Sequence, residues 1–163
     1  MTHPFKTMLS PVGTLTLVAS ERGLAAILWE NDRPGRVRLA DMREEPDHAV
    51  LREAEAQLTA YFAGARTTFD LPLDMAGTEF QKRVWTALLA IPFGQTRSYG
   101  DIARAIGSPS AVRAVGAANG RNPISIVAPC HRVIGGNATL TGFAGGLEAK
   151  RFLLAHEGLR LAL

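Results

Sequence analysis

The chain has a single cysteine, Cys130, among its 163 residues. One thiol closes no intramolecular disulfide and builds no cysteine-based zinc site, so a reducing, cytoplasmic setting is expected. Long apolar runs are missing too. The longest, Leu24 to Trp29, falls far short of the ~20 residues that span a bilayer. Met1 to Ser10 lacks a basic cluster leading into an apolar stretch, so neither export nor membrane insertion is expected. Acidic residues are scarce in one part only. Up to residue 75 there are 11 Asp+Glu against 8 Lys+Arg, and beyond it 4 against 10, giving −3 and +6. That asymmetry points to a second part facing a polyanion and a first part acting as scaffold. No repeat or low-complexity tract interrupts a composition that is 47% hydrophobic, too apolar for disorder.

Local patterns divide the chain at the same place. Gly13 to Ser20 alternates threonine and valine against leucine and alanine, and Leu24 to Trp29 follows a Glu21-Arg22-Gly23 turn, which predicts a β-hairpin. His48 to Phe62 carries Leu51, Ala54, Leu58 and Phe62 at helical spacing with Gly64 as a stop. Asp70 to Gly77 reads as a connector. The expectation is an α/β domain over residues 1–75 and a mainly helical domain over 76–163. In the latter, Thr78 with Gln81 and Ser98 with Asp101 form capping-box patterns, and Pro92-Gly94 and Gly107 close the helices they open. Ser108-Pro109 is expected to cap a third helix reaching about Asn119. Ile124 to Val127 reads as a short extended segment, and Leu147 to Glu157 as a final helix.

Two helices around Gly107 have the outline of a helix-turn-helix, with Ile102, Ile106, Val112 and Val115 as core contacts. A plain helical hairpin fits these residues equally well. Arg113, Arg121 and Arg132 favour nucleic acid, whose affinity rests largely on Lys and Arg meeting phosphates. The sharper signal is Pro129-Cys130-His131-Arg132-Val133. A lone cysteine is by default a small buried hydrophobe, but a thiol beside a histidine and an arginine has the base and positive charge that make thiolates reactive.

Thr78-Glu79-Phe80-Gln81, Ile91-Pro92-Phe93-Gly94, Ser98-Tyr99, Ala114-Val115-Gly116, Asn122-Pro123, Pro129-Cys130-His131-Arg132-Val133, Gly145-Gly146-Leu147 and His156-Glu157-Gly158, in this order, resemble the O6-alkylguanine-DNA alkyltransferases, closely over residues 77–158 and loosely over 1–75. The resemblance implies a ribonuclease-H-like α/β fold for the first domain and a helix-turn-helix in the second, with double-stranded DNA bound through its minor groove. It implies irreversible, stoichiometric transfer of an alkyl group from O6 of guanine to Cys130 after nucleotide flipping, by a protein acting once and as a monomer. His131 would be the base, reached through a water. Glu157 would orient it, Asn122 brace the active-site turn, and Tyr99 donate to N3 of the flipped guanine. Arg113, Ser98, Tyr99, Ala114 and Gly116 would meet DNA, and Val133, Phe143 and Ala144 line the base pocket.

Departures from the family pattern are Ala138, where glycine is common, Phe143, where tyrosine is usual, and Ala144, where some members carry serine. By the same resemblance Ala144 would still offer its backbone N–H toward O6. Three rivals make different predictions: a binding-only relative would replace the acceptor cysteine, a cysteine hydrolase would turn over and ignore DNA, and a helix-turn-helix regulator would prefer one DNA sequence. Acceptance of O4-alkylthymine or bulky adducts is left open.

Overall fold

A computed structural model of the protein describes residues 2–135 and 143–159. The first part is a four-stranded sheet in the order β3-β2-β1-β4, formed by β1 (His3–Met8), β2 (Leu15–Ser20), β3 (Gly23–Leu28) and β4 (Met42–Glu44). The hairpin read from the sequence is β2 and β3, paired antiparallel with Leu17 opposite Ile27 and a register shift at Val18/Ala19. Strands β1 and β4 carry no legible signal. His-Pro-Phe-Lys-Thr-Met does not alternate cleanly, and β1 owes its extended backbone to pairing with β2 on one side and β4 on the other.

Helix α1 (Ala49–Phe62) packs its buried Leu51, Ala54, Leu58 and Tyr61 against this sheet. Tyr61, rather than the Phe62 expected from spacing, completes the buried stripe; Phe62 lies half-buried at its margin.

In the second part, α2 (Glu79–Leu89), α3 (Tyr99–Ala105) and α4 (Val112–Gly120) enclose a second core that includes Val84, Trp85, Leu88, Ile102, Val115, Cys130 and Val133. Both expected capping boxes form: Thr78 Oγ1 accepts the Gln81 N–H at 3.1 Å, and Ser98 Oγ accepts that of Asp101 at 3.0 Å. Gly107, at φ +75°, ends α3 in the left-handed region that glycine enters without strain, giving the helix-turn-helix outline. The start of α4 is a correction. The Ser108 N–H is drawn back to the Ala103 carbonyl to close α3, so Ser108-Pro109 belongs to the turn and α4 begins at Val112 after Ala111.

Two short pieces complete the second part, and one of them reaches into the first. β5 (Arg97–Ser98) runs parallel to β6 (Val133–Ile134), placing the start of α3 beside the residues that follow Cys130. Ile124 to Val127 is not a strand. Ile124 makes an isolated bridge to Ile27, Ile126 turns at φ +74°, and Ile124, Ile126 and Val127 complete the N-terminal core, joined by Leu153 of α5 (Leu147–His156). Among the described residues, no helix is long and apolar enough to cross a membrane.

Candidate active site

Cys130 opens a single 3-10 turn, Cys130–Arg132, wedged between Pro129 and β6. Its side chain belongs to the helical core and is 3% exposed. Burial pushes the thiol up, opposed by a hydrogen bond from the Asn122 side chain, by the charges of Arg36 and Lys150, and by Ser125. The thiol therefore sits in a pocket that discourages ionisation while holding two cations nearby.

The turn carries three consecutive side chains to different work. His131 is wholly buried, and its Nε2 lies 2.8 Å from Glu157 Oε2. Arg132 donates from Nε to Glu157 Oε1 at 2.7 Å and from Nη2 to Oε2 at 2.9 Å, a bidentate pair, while Nη1 reaches the Ile91 carbonyl at 2.6 Å. Arg132 is thus a buried partner of Glu157 and not part of a phosphate-facing surface as its charge first implied; only 6% of it is exposed. Glu157 caps the C-terminal end of α5, where the chain turns, and its Oε2 accepts a further hydrogen bond from the Tyr61 hydroxyl at 2.6 Å. Burial pushes Glu157 up, but hydrogen bonds from His131, Arg132 and the Tyr61 hydroxyl hold the carboxyl far below the usual range. It is a carboxylate at neutral pH.

An ionised carboxylate accepts only, so the hydrogen-bond network assigns the proton to His131 Nε2 and leaves Nδ1 unprotonated. Nδ1 is buried and makes no hydrogen bond to any described residue. Burial lowers His131 below its ordinary value, outweighing the hydrogen bond and charge of Glu157 that raise it. A neutral imidazole with one nitrogen pinned and the other a free base is what a general base requires.

Asn122 braces the chain that delivers the thiol. Its Nδ2 donates to the Ala128 carbonyl at 2.8 Å and its Oδ1 accepts the Ile124 N–H at 3.1 Å, so one amide ties both ends of the bend before Cys130. The Asn122 carbonyl is taken in turn by Arg36, which is held by Asp32 at 2.6 Å. Sequence reasoning missed Tyr61, Arg36, Ser125 and Lys150. Lys150 is buried on α5 and donates to the Val133 carbonyl at 2.7 Å, and desolvation brings it down to about 8.

The remaining candidates make no hydrogen bond to His131, Arg132 or Glu157 among the described residues, although Val133 shares the core of Cys130 and Tyr99 and Phe143 pack against it. Tyr99, half-buried at the start of α3, packs near Gly116, whose added Cβ would meet the Tyr99 ring at 3.9 Å. Ser98 spends its hydroxyl on the helix cap. Arg113 and Ala114 are exposed on the first turn of α4. Arg121, beyond the far end of that helix, reaches back to Gly35 at 3.4 Å. Val133 is buried; Phe143 meets Trp29 edge-on at 5.3 Å and Ala144 is half-buried. Gly145 lets this segment lie on the Trp29 ring, which an added Cβ would approach to 2.6 Å. Ala138 lies outside the described residues.

Comparison with known proteins matches residues 79–159 to the DNA binding domain of 6-O-methylguanine DNA methyltransferase, and residues 5–75 to the ribonuclease-like domain of the same family. The chain belongs to this family. A methylated-DNA–protein-cysteine methyltransferase of Mycobacterium bovis is 50% identical over 158 residues, covering 96% of this chain and 93% of the relative. One from Methanosarcina acetivorans is 52% identical over 154 residues, covering 91% and 94%. Among solved structures, Mycobacterium tuberculosis OGT in complex with DNA superposes with a TM-score of 0.85 at 48% identity, covering 96% of this chain and 92% of that one. The likeness to these methyltransferases spans both parts of the chain, including the N-terminal part where sequence motifs were sparse.

Proposed function

We propose that the protein repairs alkylated DNA by direct reversal, moving an alkyl group from O6 of guanine to Cys130. The observation that carries the reading is the lone thiol on a buried turn, next to an imidazole whose Nε2 is pinned by Glu157. As Cys130 Sγ bonds to the alkyl carbon, the carbon–O6 bond breaks and its electron pair stays with the base. The thiol proton passes through a water to His131 Nδ1 and ends on the base, leaving ordinary guanine and a thioether. Tyr99 donates to N3 while negative charge builds on the leaving base.

O6 of a paired base lies out of reach of so buried a thiol, so the nucleotide must leave the stack. Arg113, exposed on α4, enters the vacated place from the minor groove, where inserted side chains commonly open a duplex. Ser98, Tyr99, Ala114 and Gly116 form the DNA-facing side, and Val133, Phe143 and Ala144 line the pocket, with the Ala144 N–H toward O6. In this reading residues 76–163 carry the chemistry, residues 1–75 support it, and the monomer works in the reducing cytoplasm without a cofactor. The test is Cys130→Ser with duplex DNA labelled on the O6-alkyl carbon. Transfer should vanish while duplex binding persists, because a hydroxyl is a far poorer nucleophile at neutral pH. Label appearing on the serine variant would overturn the assignment.

A further inference from the structure

We infer that Tyr61, on α1 of the ribonuclease-like part, is a positioning residue for alkyl transfer: its hydroxyl holds the Glu157 carboxylate in the orientation that pins His131. The inference rests on the assignment of Cys130 as alkyl acceptor and gives the N-terminal part a share in the chemistry beyond support.

The geometry is specific. Among the described residues, Glu157 Oε2 receives three donors, the Tyr61 hydroxyl at 2.6 Å, His131 Nε2 at 2.8 Å and Arg132 Nη2 at 2.9 Å, and Oε1 receives Arg132 Nε at 2.7 Å. The guanidinium, anchored on the Ile91 carbonyl, holds the carboxylate from one side, and its two bonds lie along one direction. Tyr61 approaches from a different element and closes the third direction.

Its own placement is over-determined. The ring is fully buried, with Phe62 edge-on at 5.2 Å, Phe69 at 5.5 Å, Phe93 at 6.3 Å and the His156 ring at 4.8 Å. The Tyr61 carbonyl also meets His156 Nε2 at 2.7 Å, which ties α1 to the end of α5 next to Glu157. Burial and the adjacent Glu157 push the phenol far above its ordinary value, so it is a donor at every working pH. A buried tyrosine hydroxyl needs a partner, and here the partner is the carboxylate behind the base.

The charged and titratable groups facing the relay are Tyr61 from α1, His131 and Arg132 from the Cys130 turn, and His156 and Lys150 from α5. Arg36 acts on Cys130 from the loop after β3. Only Tyr61 can be cut back to an isosteric apolar side chain without changing any charge.

The experiment is Tyr61→Phe, measured by the rate of Cys130 alkylation against pH with duplex DNA and with free O6-benzylguanine. We expect a slowing on the order of tenfold, equal on both substrates, with the pH midpoint moved upward by roughly half a unit and the Kd for duplex unchanged. In a Glu157→Gln background the same change should slow the reaction no further, because both act through one carboxylate. An unaltered rate and midpoint, a slowing confined to duplex DNA, or an undiminished effect in the Glu157→Gln background would each overturn the inference. If wild-type protein leaves the label on DNA, the alkyl-acceptor reading itself fails, which is a separate result. Should Tyr61→Phe not fold, the wild-type protein decides: the Tyr61 hydroxyl proton should be visible by NMR, downfield and slow to exchange, and a hydroxyl in fast exchange with solvent would refute its bond to Glu157.

Discussion

The relay behind Cys130 and the outer face of α4 are built on opposite terms. His131 and Arg132 are buried and both bonded to the buried Glu157 carboxylate, whereas Arg113 and Ala114 stand in solvent on the first turn of their helix. In the proposed function the difference separates two tasks. Proton transfer needs groups fixed before substrate arrives, in a medium of low dielectric where each hydrogen bond counts for more. Gripping and opening DNA needs side chains that stay solvated until phosphates or bases replace the water. The same contrast separates the cations of the C-terminal part. Arg132 and Lys150 contribute to its formal +6 but are buried, so the exposed positive charge of this part comes from residues such as Arg113 and Arg121.

Breaking the comparison on its buried side should be the most costly. Arg132→Met leaves the Glu157 carboxylate underpaired inside the protein and strips the Ile91 carbonyl of its donor. The expected loss of unfolding free energy is about 3 to 5 kcal/mol, the usual result of removing one partner of a buried ion pair. Urea unfolding would check it, and a loss near zero would mean that the pair is dispensable.

On the exposed side the expectation reverses. Arg113→Ala should leave stability within about 0.5 kcal/mol of the parent. It should slow repair in duplex by on the order of 10- to 100-fold, because unstacking a base costs a few kcal/mol that the inserted side chain helps to offset. Reaction with free O6-benzylguanine should be nearly untouched. Parallel rate measurements would decide, and equal slowing on both substrates would remove Arg113 from the flipping step.

Acid should sharpen the contrast more gently. His131 is held below its ordinary 6.5, so the unfolded chain binds a proton that the folded one refuses, and stability falls as pH drops through 6.5. Glu157 is held below its ordinary 4.5, so its contribution is present above that value and is lost as pH falls further. Denaturant titrations from pH 7 down to about pH 2 should show both phases in the wild type, that of His131 beginning near 6.5 and that of Glu157 below 4.5. Glu157→Gln should keep the first and lose the second, and a wild-type stability flat between pH 7 and 5 would contradict the buried neutral imidazole.

What was legible in the sequence follows the reach of the interactions. The β2–β3 hairpin and the capping boxes at Thr78 and Ser98 are written in residues a few positions apart, and the structure forms all three. The Cys130-His131 pair was visible because its partners are adjacent. Tyr61 and Glu157 are 96 positions apart, and the Arg36 contact with Asn122 spans 86, so no local pattern announces either. The one available signal for Tyr61 was its place on the inner face of α1, where a hydroxyl must find a partner, although nothing local names that partner. Strand β4, three exposed residues at a sheet edge, had no hydrophobic pattern to read.

The central claim, that Cys130 accepts one alkyl group and keeps it, is tested most directly by stoichiometry. A thioether is a poor leaving group, and there is no second cysteine to take over the adduct. With excess duplex carrying labelled O6-methylguanine, the account predicts a burst equal to the active protein and no steady-state phase. Mass spectrometry should then place one methyl group on the peptide containing Cys130. Continued turnover, or damage-specific binding without any transfer, would contradict it.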